Sequence, residues 1–117
     1  MHRIPLVNLA TQHQALKSAI LHSWGQIIDD NSFTAGKETD RFQKQFAHLV
    51  GCKYGLGVRS GSAALIVPLK ALDIGYGDEV ITTPMTFTAT ADAIVLVGAK
   101  PVFVDVLPDT GNINPQK

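Results

Sequence analysis

Apolar positions recur every three or four residues between Gln12 and Asp29, at Leu16, Ala19, Ile20, Trp24, Ile27 and Ile28. That spacing places them on one face of a helix. Upstream, residues 1–10 show no period, and Ile4-Pro5 disfavours helix before the proline, so this stretch reads as an extended arm. Asp29-Asp30-Asn31-Ser32 breaks the helical pattern, and residues 33–37 read as a loop. A second amphipathic helix is expected from Glu38 to Val50. It carries Phe42, Phe46, Leu49 and Val50 on one side, with Gly51 as its C-cap.

Beyond Gly51 the pattern changes to alternating strand and helix. Strands are expected at Tyr54 to Val58, Glu79 to Thr83 and Pro101 to Val106, and helices at Gly61 to Leu72 and Thr86 to Val97. Turns fall at residues 75–78 and 108–112, and Gly98 closes the last helix. Pro68 lies inside a predicted helix, where it removes one hydrogen bond and should kink the chain, at ~3 kcal/mol in an ideal interior. Two successive β-α-β units with short loops imply parallel strands and right-handed crossovers. The fold class is α/β: two N-terminal helices followed by β-α-β-α-β. A sheet of three parallel strands is thin for a structure whose faces and edges need cover, so these residues are expected to aggregate or to depend on a partner.

At 117 residues the sequence amounts to one domain or less, enough to bury roughly two thirds of its unfolded surface. Basic and acidic residues balance at 10 each, which gives no basic excess for nucleic acid and no acidic arm. One cysteine, Cys52, excludes an internal disulfide and a cysteine-rich zinc site; it fits a reducing compartment and reads as a small core residue. The start lacks the apolar run of a signal peptide, and the longest apolar stretch, Ala93 to Gly98, is too short to span a bilayer. The expected location is the cytoplasm, with no membrane partner. His2, His13, His22 and His48 show no metal-ligand spacing.

In an open α/β sheet, ligands collect beyond the carboxyl ends of the strands. Two segments meet that description: Arg59–Ala63 and Thr83–Thr90. In the first, Arg-Ser-Gly-Ser leads into a helix start, where orphaned amides, the positive end of the helix dipole and two hydroxyls suit a phosphate. Gly61 lets the backbone approach an anion without a Cβ in the way. The simpler reading of this stretch alone is that Ser60 or Ser62 caps the helix. The second segment is rich in hydroxyls and carries one aromatic, Phe87, for which a core position is the simpler reading. Together the two offer a phosphate cradle and a flat ring, a pair that a planar heteroaromatic phosphate would use.

Other chemistries fit less well. Gly55-Leu56-Gly57 opens a dinucleotide fingerprint, but Ser60 stands at the third glycine's position and Thr82-Thr83 offers no carboxylate for a ribose. Gly36-Lys37 lacks the preceding glycine of a P-loop, and neither Ser60 nor Ser62 has the flanking glycines of a nucleophile elbow.

Four blocks in order, Gly-Lys-Glu-Thr-Asp-Arg-Phe, Ser-Gly-Ser-Ala-Ala-Leu, Gly-Asp-Glu-Val-Ile-Thr-Thr-Pro-Met-Thr-Phe-Thr-Ala-Thr and Gly-Ala-Lys-Pro-Val-Phe-Val-Asp-Val, resemble the DegT/DnrJ/StrS aminotransferases from Ile4 to Pro115. The resemblance implies the large domain of a fold like that of aspartate aminotransferase. Residues 1–117 would be its N-terminal part, with 1–50 as arm and helices and 51–117 as partial parallel sheet. It implies pyridoxal 5'-phosphate as cofactor, a keto sugar carried on a nucleotide as substrate, an amino-acid donor such as glutamate, and a homodimer in which loop 33–37 reaches the partner's pocket. Gly61, Ser62 and Ala63 would bind the cofactor phosphate and Phe87 would stack on its ring, with Ser62 standing where the family commonly has threonine. No catalytic residue is assigned here. The family's Schiff-base lysine and its aspartate for the ring nitrogen lie further along, and none of Lys17, Lys37, Lys44, Lys53, Lys70, Lys100 and Lys117 matches the lysine. Asp105 reads as a strand-end or turn residue. The residues as given are therefore expected to be inactive alone; the alternative is a non-catalytic domain that binds a phosphorylated ligand or depends on a partner.

Overall fold

The structure, a computed structural model, describes residues 5–117 and divides into two compact units, Met1–Gly57 and Val58–Lys117. The first four residues of the expected arm, and with them His2, lie outside the described part.

In the first unit, helix α1 runs Ala10–Asp29 and helix α2 Lys37–Leu49. The apolar stripe of α1 is present, yet no residue of that helix is buried and Trp24 is 60% exposed. Helix α2 carries Glu38 and Asp40 in its first turn, where they complement the positive end of the dipole. Its end shows why Gly51 is glycine. At φ 72° it takes the left-handed conformation, so that its own N–H reaches the His48 carbonyl (3.2 Å) and the Cys52 N–H that of Ala47 (2.8 Å). The same paired closure ends α1 at Asn31.

The return of the chain along α2 corrects three expectations. Ala47 is the buried residue of this helix, whereas Phe42 and Phe46 stay half-exposed, their rings tilted together at 5.6 Å. Cys52 is exposed, not a core residue, because its backbone closes the helix and its side chain faces outward. The expected strand Tyr54 to Val58 does not form. Its residues take no regular element, and no ladder partner lies beside them among the described residues. The Gly57 N–H instead donates to Gln43 Oε1 at 2.8 Å. Gly55 lies so close to α2 that a Cβ there would sit 2.6 Å from the Gln43 carbonyl oxygen.

The second unit contains α3 (Gly61–Ala71), β1 (Glu79–Thr82), α4 (Ala89–Leu96) and β2 (Lys100–Phe103). The strands pair in parallel, Glu79 opposite Lys100 through Thr82 opposite Phe103, with α4 as the crossover. The α/β class expected from the pattern is what the chain adopts, with one β-α-β unit where two were expected. Helix α3 runs through Pro68 to Ala71, past the expected kink. The core sits under α4, which packs on α3 and on both strands and buries Ala93 and Ile94, with Ala99 just beyond it. Small side chains at 89, 91 and 93 allow that close approach. Both helices of this unit also end in the left-handed closure, at Asp73 and Gly98.

The third expected strand stops at Phe103. Val106 then bridges antiparallel to Ile113, and the Leu107 and Asn112 backbones close the turn foreseen at 108–112. A two-stranded parallel sheet leaves apolar side chains uncovered: Ile81 is 64% exposed and Phe103 is likewise open.

Candidate functional site

At the start of α3, Ser60 has extended backbone and is the N-cap: its Oγ accepts from the Ala63 N–H at 3.2 Å, and its carbonyl from the Ala64 N–H at 3.0 Å. The capping role weighed from sequence is therefore real, and it engages one of the amides expected in the cradle, that of Ala63. The Gly61 and Ser62 amides find no acceptor among the described residues, and neither does the Ser62 hydroxyl. The first turn holds no acidic residue, in contrast to those of α2 and α4, so nothing offsets the positive end of the helix. A Cβ built on Gly61 meets nothing within 4 Å. Two unspent amides, a free hydroxyl and open space above a glycine form a donor set that fits a phosphate.

The second segment follows β1. Thr83 Oγ1 accepts from the Met85 N–H at 3.1 Å, the Thr90 N–H donates to the Phe87 carbonyl at 3.0 Å, and the Thr86 and Thr90 hydroxyls are 3.0 Å apart. Phe87 between them is 78% exposed, which overturns its reading as a core aromatic and presents a flat apolar ring for stacking. The threonine pair escaped the sequence analysis, although two hydroxyls four residues apart at a helix start were its visible signal.

Ala64 in α3, Thr82 at the carboxyl end of β1 and Thr90 in α4 line a cleft of about 250 Å³ that also runs along the apolar Leu65, Ile81 and Ile94; neither Gly61–Ala63 nor Phe87 lines it. The segment from Thr83 to Thr90 follows the carboxyl end of β1, where α/β folds collect ligands. Asp105 serves a local turn, its Oδ1 accepting from the N–H of Val106 at 2.8 Å. Among the described residues no group of three His, Cys, Asp or Glu side chains is placed to hold a metal, and no helix is long and apolar enough to cross a membrane.

The fold is that of the pyridoxal-phosphate-dependent aminotransferases. S. venezuelae DesV matches 99% of this chain, over 31% of its own, with a TM-score of 0.95 and 30% identity. The Bacillus subtilis protein ntda, solved with bound cofactor PMP, matches 99% of this chain over 28% of its own, with a TM-score of 0.87 and 29% identity. The chain belongs to the DegT/DnrJ/EryC1/StrS aminotransferase family, whose sequence model matches residues 14–117. A relative from Acidithiobacillus ferrooxidans, a UDP-N-acetyl-3-dehydro-alpha-D-glucosamine 3-aminotransferase, is 47% identical over 103 residues, 88% of this chain and 28% of that protein. The chain spans less than a third of the length of each of these proteins. Pyridoxal phosphate is the cofactor of the family.

Proposed function

We propose that Gly61, Ser62 and Ala63 hold the phosphate of pyridoxal phosphate and that Phe87 lies against its ring, in a protein that transfers an amino group to a keto sugar carried on a nucleotide. The observation that carries the reading is the pair of unspent amides at Gly61 and Ser62, on a helix start with no acid in its first turn. The substrate class rests on the family and on the nucleotide-sugar aminotransferase that resembles this chain. Glutamate as donor, a homodimer with loop 33–37 at the partner's pocket, and a cytoplasmic location belong to the same reading.

In this reading residues 1–117 are the N-terminal part of one large domain, and on their own they bind without turning over. The bound cofactor would supply the electron sink for the reaction. The residues here anchor and orient it, while the lysine and the ring-nitrogen aspartate are placed outside them.

Gly61→Ala tests the cradle, because the chain itself has room for the added methyl. In the gene-encoded protein it is expected to weaken pyridoxal phosphate binding by about tenfold or more, the worth of one lost charge-assisted hydrogen bond, with the melting midpoint unchanged. Phe87→Ala is expected to weaken binding by about fivefold. Wild-type affinity in both variants would refute the assignment.

A further inference from the structure

A ring displayed to solvent has no packing of its own to set its angle, so its direction follows from how firmly the flanking backbone is held. Around Phe87 that hold is made by threonine. The Thr83 hydroxyl fixes the approach through the Met85 N–H, and the Phe87 carbonyl is tied to the Thr90 N–H. The remaining bond is unusual in its choice of partner. A threonine just ahead of a helix commonly spends its oxygen on an orphaned helix amide. Thr88, at the N-cap position, makes no such bond, and Thr86 Oγ1 meets Thr90 Oγ1 at 3.0 Å instead. This pair caps no amide. It closes a loop over one residue's ring, joining the chain just before Phe87 to the first turn just after it.

Thr90 is also the firmer half of the pair. It is partly buried, it lines the cleft beneath the helix, and it lies one turn from Ala93 and Ile94, the buried centre of the unit. Thr86 is exposed, and among the described residues its side chain has no other hydrogen-bond partner. Order thus passes from the core through Thr90 to Thr86, and so to the residue between them.

We infer that Thr86 and Thr90 are positioning residues: their hydroxyl pair sets the angle at which Phe87 presents its ring to the cofactor. The inference rests on the assignment of Phe87 proposed above. The test uses the gene-encoded protein with pyridoxal phosphate, read by equilibrium titration and by the circular dichroism of the bound cofactor in its own absorption band. Thr90→Val keeps the shape of the side chain and removes the hydroxyl. It is expected to weaken binding by about fivefold, the worth of one neutral hydrogen bond, and to diminish the dichroic band. The cofactor-free melting midpoint should stay unchanged. Thr90→Ser, which keeps the hydroxyl, should restore both readouts. Thr86→Val should match Thr90→Val, and the double variant should lose no more than either single one.

Wild-type affinity and dichroism in Thr90→Val, alongside a loss in Phe87→Ala, would overturn the inference and leave the ring assignment standing. Failure of Thr90→Ser to keep the wild-type readouts would overturn it too, because the hydroxyl would then be present without setting the ring. Wild-type binding by Phe87→Ala would remove the assignment and the inference together.

Discussion

Ser60 holds the amide that the cofactor phosphate would claim, and this sets up a test in which stability and affinity move in opposite directions. In the cofactor-free protein, Ser60 Oγ accepts from the Ala63 N–H at 3.2 Å, near the long end for such a bond, at an exposed helix start. Ser60→Ala removes that acceptor and should destabilise the unit by about 1 kcal/mol, read as a lower urea midpoint with an unchanged slope. Ser60→Gly, which suits an N-cap better than alanine, should cost only a few tenths of a kcal/mol by the same measurement. Affinity should respond otherwise. To give its N–H to a phosphate, Ala63 must first leave Ser60, so wild-type binding is weakened by about the worth of that bond. Ser60→Ala removes the competition, and pyridoxal phosphate affinity should rise by up to about fivefold, the factor that corresponds to ~1 kcal/mol. At saturating cofactor the two proteins should then melt close together, since the ligand supplies the missing acceptor. A fall in affinity on Ser60→Ala with the urea midpoint unchanged would refute this reasoning: Ser60 would then be a ligand of the phosphate and not the cap of α3.

Gly55→Ala probes the packing that replaced the expected strand. Its Cβ would lie 2.6 Å from the Gln43 carbonyl oxygen, a contact the backbone must relieve, and the expected cost is about 1–3 kcal/mol in a urea melt; a neutral result would mean that the return along α2 is not held at that distance. Lys100 and Glu79 face each other across β1 and β2 at 2.8 Å, and the hydrogen bond to Glu79, helped by its charge, holds the Lys100 ammonium above its ordinary value of 10.5. A raised lysine contributes its stabilisation fully below the unfolded value and loses it only as pH rises through the folded one. Lys100→Met should therefore leave the dependence of stability on pH unchanged between about pH 6 and 9, and a difference confined to the alkaline side of about pH 10 is the expected signature.

What was legible in the sequence was local. A helix start announces itself within four residues, and Ser60-Gly61-Ser62-Ala63 carries both the cap and the orphaned amides whatever lies elsewhere in the chain. Helix ends are equally local, and Gly51 and Gly98 mark two of them by the left-handed backbone they adopt. Strand formation is a different kind of statement. Tyr54, Leu56 and Val58 alternate with small residues as a strand would, but alternation reports an extended backbone and carries no information about a neighbour to pair with. The two glycines that complete the pattern answer to another demand: at Gly55 the backbone lies against α2 too closely for a side chain.

The same division explains the burial errors. The stripe on α2 was readable, yet which of its residues the returning chain would cover was not, and Ala47 is covered while Phe42 and Phe46 are half open. Phe87 shows the consequence for function. Its residue type and its place after β1 were legible, while its exposure depends on what packs beside it and could only come from the structure. The candidate site thus joins parts of two kinds. The phosphate cradle is specified by consecutive residues and forms wherever α3 forms. The ring is displayed by a threonine-bound turn whose footing is the buried face of α4, and its setting relative to the cradle depends on how α3 packs on α4 and α4 on β1. Substitutions at Gly61 and Ser62 should therefore act on affinity alone, whereas those at the buried Ala93 and Ile94 should alter affinity and stability together.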